Sequence, residues 1–106
     1  MRVLLDEQLN NRHRLDFSSW IQAITVESQG WKGTKNGVLL RLAEQEFDAF
    51  VTMDRGIEYQ QNWQARKLIV IVLSAKTNRY YALKPLISLI EQALSSAQPG
   101  QLIHVP

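Results

Sequence analysis

Two acidic residues stand where short, largely apolar runs stop. Asp6 follows Val3-Leu4-Leu5, with Glu7 beside it, and Asp54 closes Ala49-Phe50-Val51-Thr52-Met53, with Arg55 beside it. Runs without polar alternation read as strands covered on both faces of a parallel sheet. Ligands of open α/β sheets bind beyond the carboxyl ends of the strands, near the point where strand order reverses. Two carboxylates brought to one sheet edge repel, so that one pKa rises, unless a divalent cation keeps both ionised. Oxygen-only ligation favours Mg2+ or Mn2+ over zinc. Position alone also fits a plainer role, in which Asp6 caps the helix after it and Asp54 caps the segment from Ile57 onward.

Other chemistries have fewer residues to draw on. The chain has no cysteine, which removes disulfides, thiolate nucleophiles and sulfur-ligated metals. His13 and His104 sit at opposite ends of the sequence, neither beside residues that suggest a relay or a two-histidine metal site. The glycine-rich phosphate loops GxGxxG and GxxxxGK[ST] are absent, which argues against a dinucleotide or P-loop site. A net charge of +2 is spread over scattered Arg and Lys residues, so charge alone does not demand a polyanion.

The elements that must position the two acids follow from patterning. One hundred and six residues make one domain, and 45% hydrophobic content supplies a core. Val3–Leu5, Ala23–Val26, Ala49–Thr52, Leu68–Leu73 and Leu102–Val105 read as strands, with Leu68–Leu73 at or beside the sheet centre. Helical segments are expected between them. The first would use Leu9, Leu15 or Asp16, Trp20 and Ile21. The second runs over 37–46 with Asn36 as its N-cap. A short polar helix is expected over 57–66, and an amphipathic one over 80–97 that tolerates Pro85 in its first turns. This alternation predicts an α/β fold with a mainly parallel sheet and right-handed crossovers. Acids within six residues of the start argue against a signal peptide, and the longest apolar run is far short of the roughly 20 residues a span needs. The expectation is a cytoplasmic protein with no membrane partner.

Several segments, in order along residues 1 to about 75, resemble the PIN-like proteins of the DUF5615 group. They are Met1-Arg2-Val3-Leu4-Leu5-Asp6-Glu7-Gln8-Leu9, Gly30-Trp31-Lys32-Gly33, Lys35-Asn36-Gly37 with Leu39-Leu40, Phe47-Asp48-Ala49-Phe50-Val51-Thr52-Met53-Asp54-Arg55, and Tyr59-Gln60-Gln61-Asn62. The resemblance implies a three-layer α/β/α sandwich of about five strands and descent from Mg2+-dependent ribonucleases. Many such proteins are toxins held in check by an antitoxin. The implied partners are therefore RNA, an antitoxin protein and a second copy of the chain. Carried over, Asp6, Glu7 and Asp54 match the catalytic acids, and Asp6 and Asp54 match metal ligands.

One departure bears on this. Where the group continues Asn-Gly with an acid, this chain has Val38, which cannot ligate a metal. Glu44 lies about 240° around the helix from that position, at roughly 100° per residue. Glu58, one turn past Asp54, is the better third ligand. Asn36, Arg55, Gln60, Gln61 and Asn62 are candidate contacts to phosphate or sugar, with Asn36 alternatively a helix cap and Arg55 a partner for a nearby acid. Trp31 and Trp63 either stack on bases or pack. Loss of the acid at 38 leaves a second function open, a catalytically degenerate PIN-like domain that binds RNA or protein.

Overall fold

The apolar runs pair side by side. In the computed structural model, which describes residues 1–59 and 67–106, β1 (Arg2–Leu5), β2 (Gln22–Thr25), β3 (Ala49–Thr52), β4 (Ile69–Leu73) and β5 (Leu102–Val105) form one sheet. Its order is β2-β1-β3-β4-β5, and every pairing is parallel. All residues of β3 and β4 are buried, whereas β2 and β5 at the edges are partly open. Unbroken Val, Ile and Leu runs suit the two inner strands because both of their faces are covered.

Alternation along the strands feeds two cores. On one face Leu4, Phe50, Val70 and Val72 pack with Leu39, Leu40 and Ala43 of α1 (Asn36–Glu46). On the other, Val3, Leu5, Val51, Ile69 and Ile71 pack with Leu83 of α2 (Tyr80–Leu83) and with Ile87, Ile90 and Leu94 of α3 (Ile87–Ser96). Helices on both faces of a parallel sheet make the three layers of an α/β/α sandwich. Among the described residues no helix is long and apolar enough to cross a membrane.

Four expectations need correction. The segment after β1 forms only a 3-10 turn, Asn11–Leu15, capped by Asn10, whose side chain accepts from the Arg12 N–H. Asn10, Asn11, Asp16, Ser18 and Ser19 favour caps and turns over helix interior, and of the intended apolar face Leu9 and Ile21 are buried but Leu15 and Trp20 are exposed. The C-terminal helix is interrupted by a 3-10 turn at Lys84–Leu86, between α2 and α3. Pro85 has no N–H for the Tyr81 carbonyl and its ring crowds that position. Asn36 is the first residue of α1 rather than its cap; Lys35 holds the cap position without a side-chain bond.

The crossovers also fail to share one hand. The β1–β2 connection places Leu9 and Ile21 on the α3 face and moves one way across the sheet, while α1 carries the chain back the other way over the opposite face. Those two have the same hand. The β4–β5 connection continues in the second direction but over the first face, which reverses it. With only a 3-10 turn between β1 and β2, that face depends on α2 and α3 for cover, and packing overrides the usual preference.

Candidate functional site

Strand order reverses between β1 and β3, since the chain leaves β1 for β2 on one side and returns to β3 on the other. Leu5 pairs with Val51, and the Asp6 N–H continues the ladder to the Val51 carbonyl at 2.9 Å. Register alone therefore sets Asp6 against Thr52, just past the carboxyl ends of two inner strands.

A chain of polar contacts runs from there. Asp6 is buried, at 4% exposure. Its Oδ2 accepts the Thr52 hydroxyl proton at 2.6 Å, and its Oδ1 accepts the Glu7 N–H at 2.8 Å. Thr52, itself fully buried, accepts the Asp54 N–H at 3.0 Å. Asp54 Oδ2 accepts the Asn36 amide at 2.7 Å, and Oδ1 accepts the Gly56 N–H at 2.9 Å. Asp6, Thr52, Asp54 and Asn36 thus form one continuous network drawn from β1, β3 and the first turn of α1.

Burial pushes the Asp6 carboxyl above the usual range, and the charges of Glu7 and Asp54 push the same way. The bonds from Thr52 and Glu7 offset only part of this. Neither Asp6 nor Asp54 has a Lys or Arg ion-pair partner among the described residues, whose one close acid–base contact is His13–Asp16.

The remaining candidates divide. The Glu7 carboxylate turns to the Gly33 N–H at 3.3 Å, in a loop where Gly33 takes φ +81°, a conformation that favours glycine. Arg55 donates to the Ser74 carbonyl at 3.2 Å, at the end of β4. Val38 is 43% exposed on α1. Trp31 packs edge-on against Phe47, which supports its packing role. Gln60, Gln61, Asn62, Trp63 and the side chain of Glu58 lie outside the described residues. Among the described residues no three His, Cys, Asp or Glu side chains converge as a metal site.

The capping role holds for Asp54, whose carboxylate takes the N–H of the second residue in the 3-10 turn Arg55–Tyr59. For Asp6 it does not, because Asn10 caps the turn that follows. Sequence reasoning passed over Thr52, although a hydroxyl ending an otherwise apolar inner strand is a signal. It also passed over a second polar cluster. His13 is fully buried and stacks on Tyr80 with ring centroids 4.6 Å apart. Asp16 accepts from the Tyr80 hydroxyl, at 2.7 and 2.8 Å to its two oxygens, and lies 3.3 Å from His13 Nδ1. This cluster ties α2 to the β1–β2 connection.

No protein-family model matches the chain, and comparison with curated proteins and with solved structures found no match.

Proposed function

We propose that the chain is a metal-dependent ribonuclease that holds Mg2+ or Mn2+ at Asp6 and Asp54. The observation that carries this reading is a buried carboxylate, Asp6, linked through Thr52 to a second acid at the sheet's switch point, with no Lys or Arg partner for either among the described residues. Leaving a charge in that state is costly. A hard divalent ion offsets the cost, and the all-oxygen donor set of Asp6 and Asp54 fits one. When bound, such an ion activates water and stabilises the leaving oxygen of a phosphodiester.

The chain's own residues prepare the place. Thr52 fixes the Asp6 carboxylate, while Asn36 and the Gly56 N–H fix that of Asp54. In this reading Arg55, which donates to the Ser74 carbonyl at the same edge, would steady a phosphate, and Glu58, whose side chain lies outside the described residues, would be the third ligand. RNA as substrate, an antitoxin partner and a second copy of the chain rest on the resemblance to PIN-like proteins.

A specific observation favours a second reading. Val38 stands exposed where that group carries an acid, and a site reduced to two carboxylates suits a degenerate domain that binds RNA or protein without cutting it.

Thermal unfolding in EDTA and then in millimolar Mg2+ or Mn2+ tests the metal. A ligand at 100 times its Kd adds about 2.7 kcal/mol, or roughly 10 °C for a domain of this size. The shift is expected in wild type and not in Asp6→Asn. A metal-induced shift accompanied by RNA cleavage supports the nuclease, a shift without cleavage supports the degenerate reading, and no shift overturns both metal-binding forms.

A further inference from the structure

Asn36 is followed by Gly37, and its amide nitrogen lies 2.7 Å from Asp54 Oδ2. Asn-Gly is the dipeptide in which a backbone nitrogen most readily attacks the preceding side chain, because glycine offers no side chain to block the approach. We propose that Asn36 is a self-modification site whose amide is lost as ammonia, leaving a third carboxylate against Asp54.

The atoms balance without any other reactant than water. The Gly37 nitrogen bonds to Cγ of Asn36, the Cγ–Nδ2 bond breaks, and the proton of the Gly37 amide leaves with Nδ2 as ammonia. Water then opens the five-membered imide, returns a proton to the Gly37 nitrogen and leaves an aspartyl or isoaspartyl carboxylate.

The position in the fold permits this. Asn36 and Gly37 are the first two residues of α1, and the cap residue, Lys35, makes no side-chain bond to them. The first N–H groups of a helix have no intrahelical acceptor, so the attacking nitrogen gives up no ladder bond. The attack does require Asn36 to leave the helical ψ, and a helix end frays at least cost. Both residues are partly exposed, so water reaches them.

The consequence is electrostatic. The intact amide donates a hydrogen bond to Asp54, whereas the aspartyl product sets an anion against that anion. Like charges so close destabilise the fold until a cation joins them. This consequence, unlike the reaction, rests on the metal reading above.

The test has two parts. The intact protein is incubated warm at mildly alkaline pH beside Gly37→Ala and beside wild type in urea, and peptides are weighed. A gain of one mass unit at Asn36 in folded wild type, slowed at least tenfold in Gly37→Ala, is expected. Modification in urea but none in the folded chain overturns the proposal. Unfolding of Asn36→Asp is then followed in EDTA and in Mg2+. A lower midpoint than wild type in EDTA and a larger rise with Mg2+ are expected, and an unchanged midpoint in EDTA overturns the claim of an anion against Asp54. If Asn36 is modified and the EDTA midpoint falls, but neither wild type nor Asn36→Asp responds to Mg2+, the metal reading fails while the modification site stands.

Discussion

The Thr52 hydroxyl donates to Oδ2 of Asp6 at 2.6 Å, and both residues are all but closed to solvent. Because Thr52 also accepts the Asp54 N–H, one hydroxyl satisfies both ends of the site at once. It serves as acceptor for the strand that carries Asp54 and as donor to the acid that strand faces. Parallel register brings this about, since Leu5 pairs with Val51 and the next residues along, Asp6 just past β1 and Thr52 at the end of β3, must meet.

Thr52→Val keeps the shape and removes the hydroxyl. The Asp6 oxygen and the Asp54 N–H then lose a partner in a buried place, at a cost of about 1–3 kcal/mol. At about 4–8 °C per kcal/mol the midpoint should drop by several degrees, with Thr52→Ser recovering most of it. An unchanged midpoint would mean that water replaces the hydroxyl and that the bridge contributes nothing.

Asp6→Asn probes the cost of burying the acid. The folded pKa of Asp6 lies above its unfolded value of about 3.9. Its favourable contribution is therefore complete below that unfolded value and is lost as pH rises through the folded one. In EDTA the variant escapes the loss. Its midpoint, measured relative to wild type, should be highest near neutral pH and should fall as the buffer is acidified. A relative midpoint that rises on acidification would show that burial does not raise this carboxyl.

How much of this was legible in the sequence depends on the range of the cause. Val3–Leu5 and Ile69–Leu73 show as inner strands because a run with no polar alternation has no other stable place. The acids that end β1 and β3 are equally visible, because a strand end is a local event. Asn36 meeting Asp54 is not, since the seventeen residues between them hold the rest of α1 and all of β3 and only the completed sheet brings the two together. The interruption at Pro85 was visible as a residue but not as an outcome, because a proline one turn into a helix can be absorbed or can reset the helix. His13 has no suggestive neighbour in the sequence, because its contact with Asp16 depends on the turn that forms there and its stacking partner Tyr80 lies across the fold.

The dependence of one sheet face on α3 gives a packing prediction. Leu94 is 2% exposed and Leu89, on the same helix, is 41% exposed. Leu94→Ala should cost about 2–5 kcal/mol through lost burial and a residual cavity. Leu89→Ala should stay within about 0.5 kcal/mol. Denaturant melts of the pair decide the matter, and equal costs would place α3 off the sheet.

Acid should loosen the tie between α2 and the β1–β2 connection. His13 is fully buried, and its Nε2 has no partner among the described residues. Burial is the main cause that lowers its pKa, the nearby Arg12 adds to it, and Asp16 opposes without prevailing. At neutral pH the ring is therefore neutral, with Nδ1–H given to the Asp16 carboxylate. Tyr80 stacks on the ring, and Arg12 and Lys84 lie over Tyr80, at 4.1 and 5.7 Å from its centroid. A proton on Nε2 would add a charge and a donor where no acceptor waits. With the folded pKa below the unfolded value of about 6.5, the stability from this group is present above that value and is lost as pH falls through the folded pKa. His13→Phe keeps a stacking ring and cannot titrate. Below about pH 6.5, the wild-type midpoint should decline more steeply than that of His13→Phe, with Asp6 and the other acids contributing equally to both. Parallel profiles would mean that His13 finds a way to charge inside the fold, and that Asp16 outweighs burial after all.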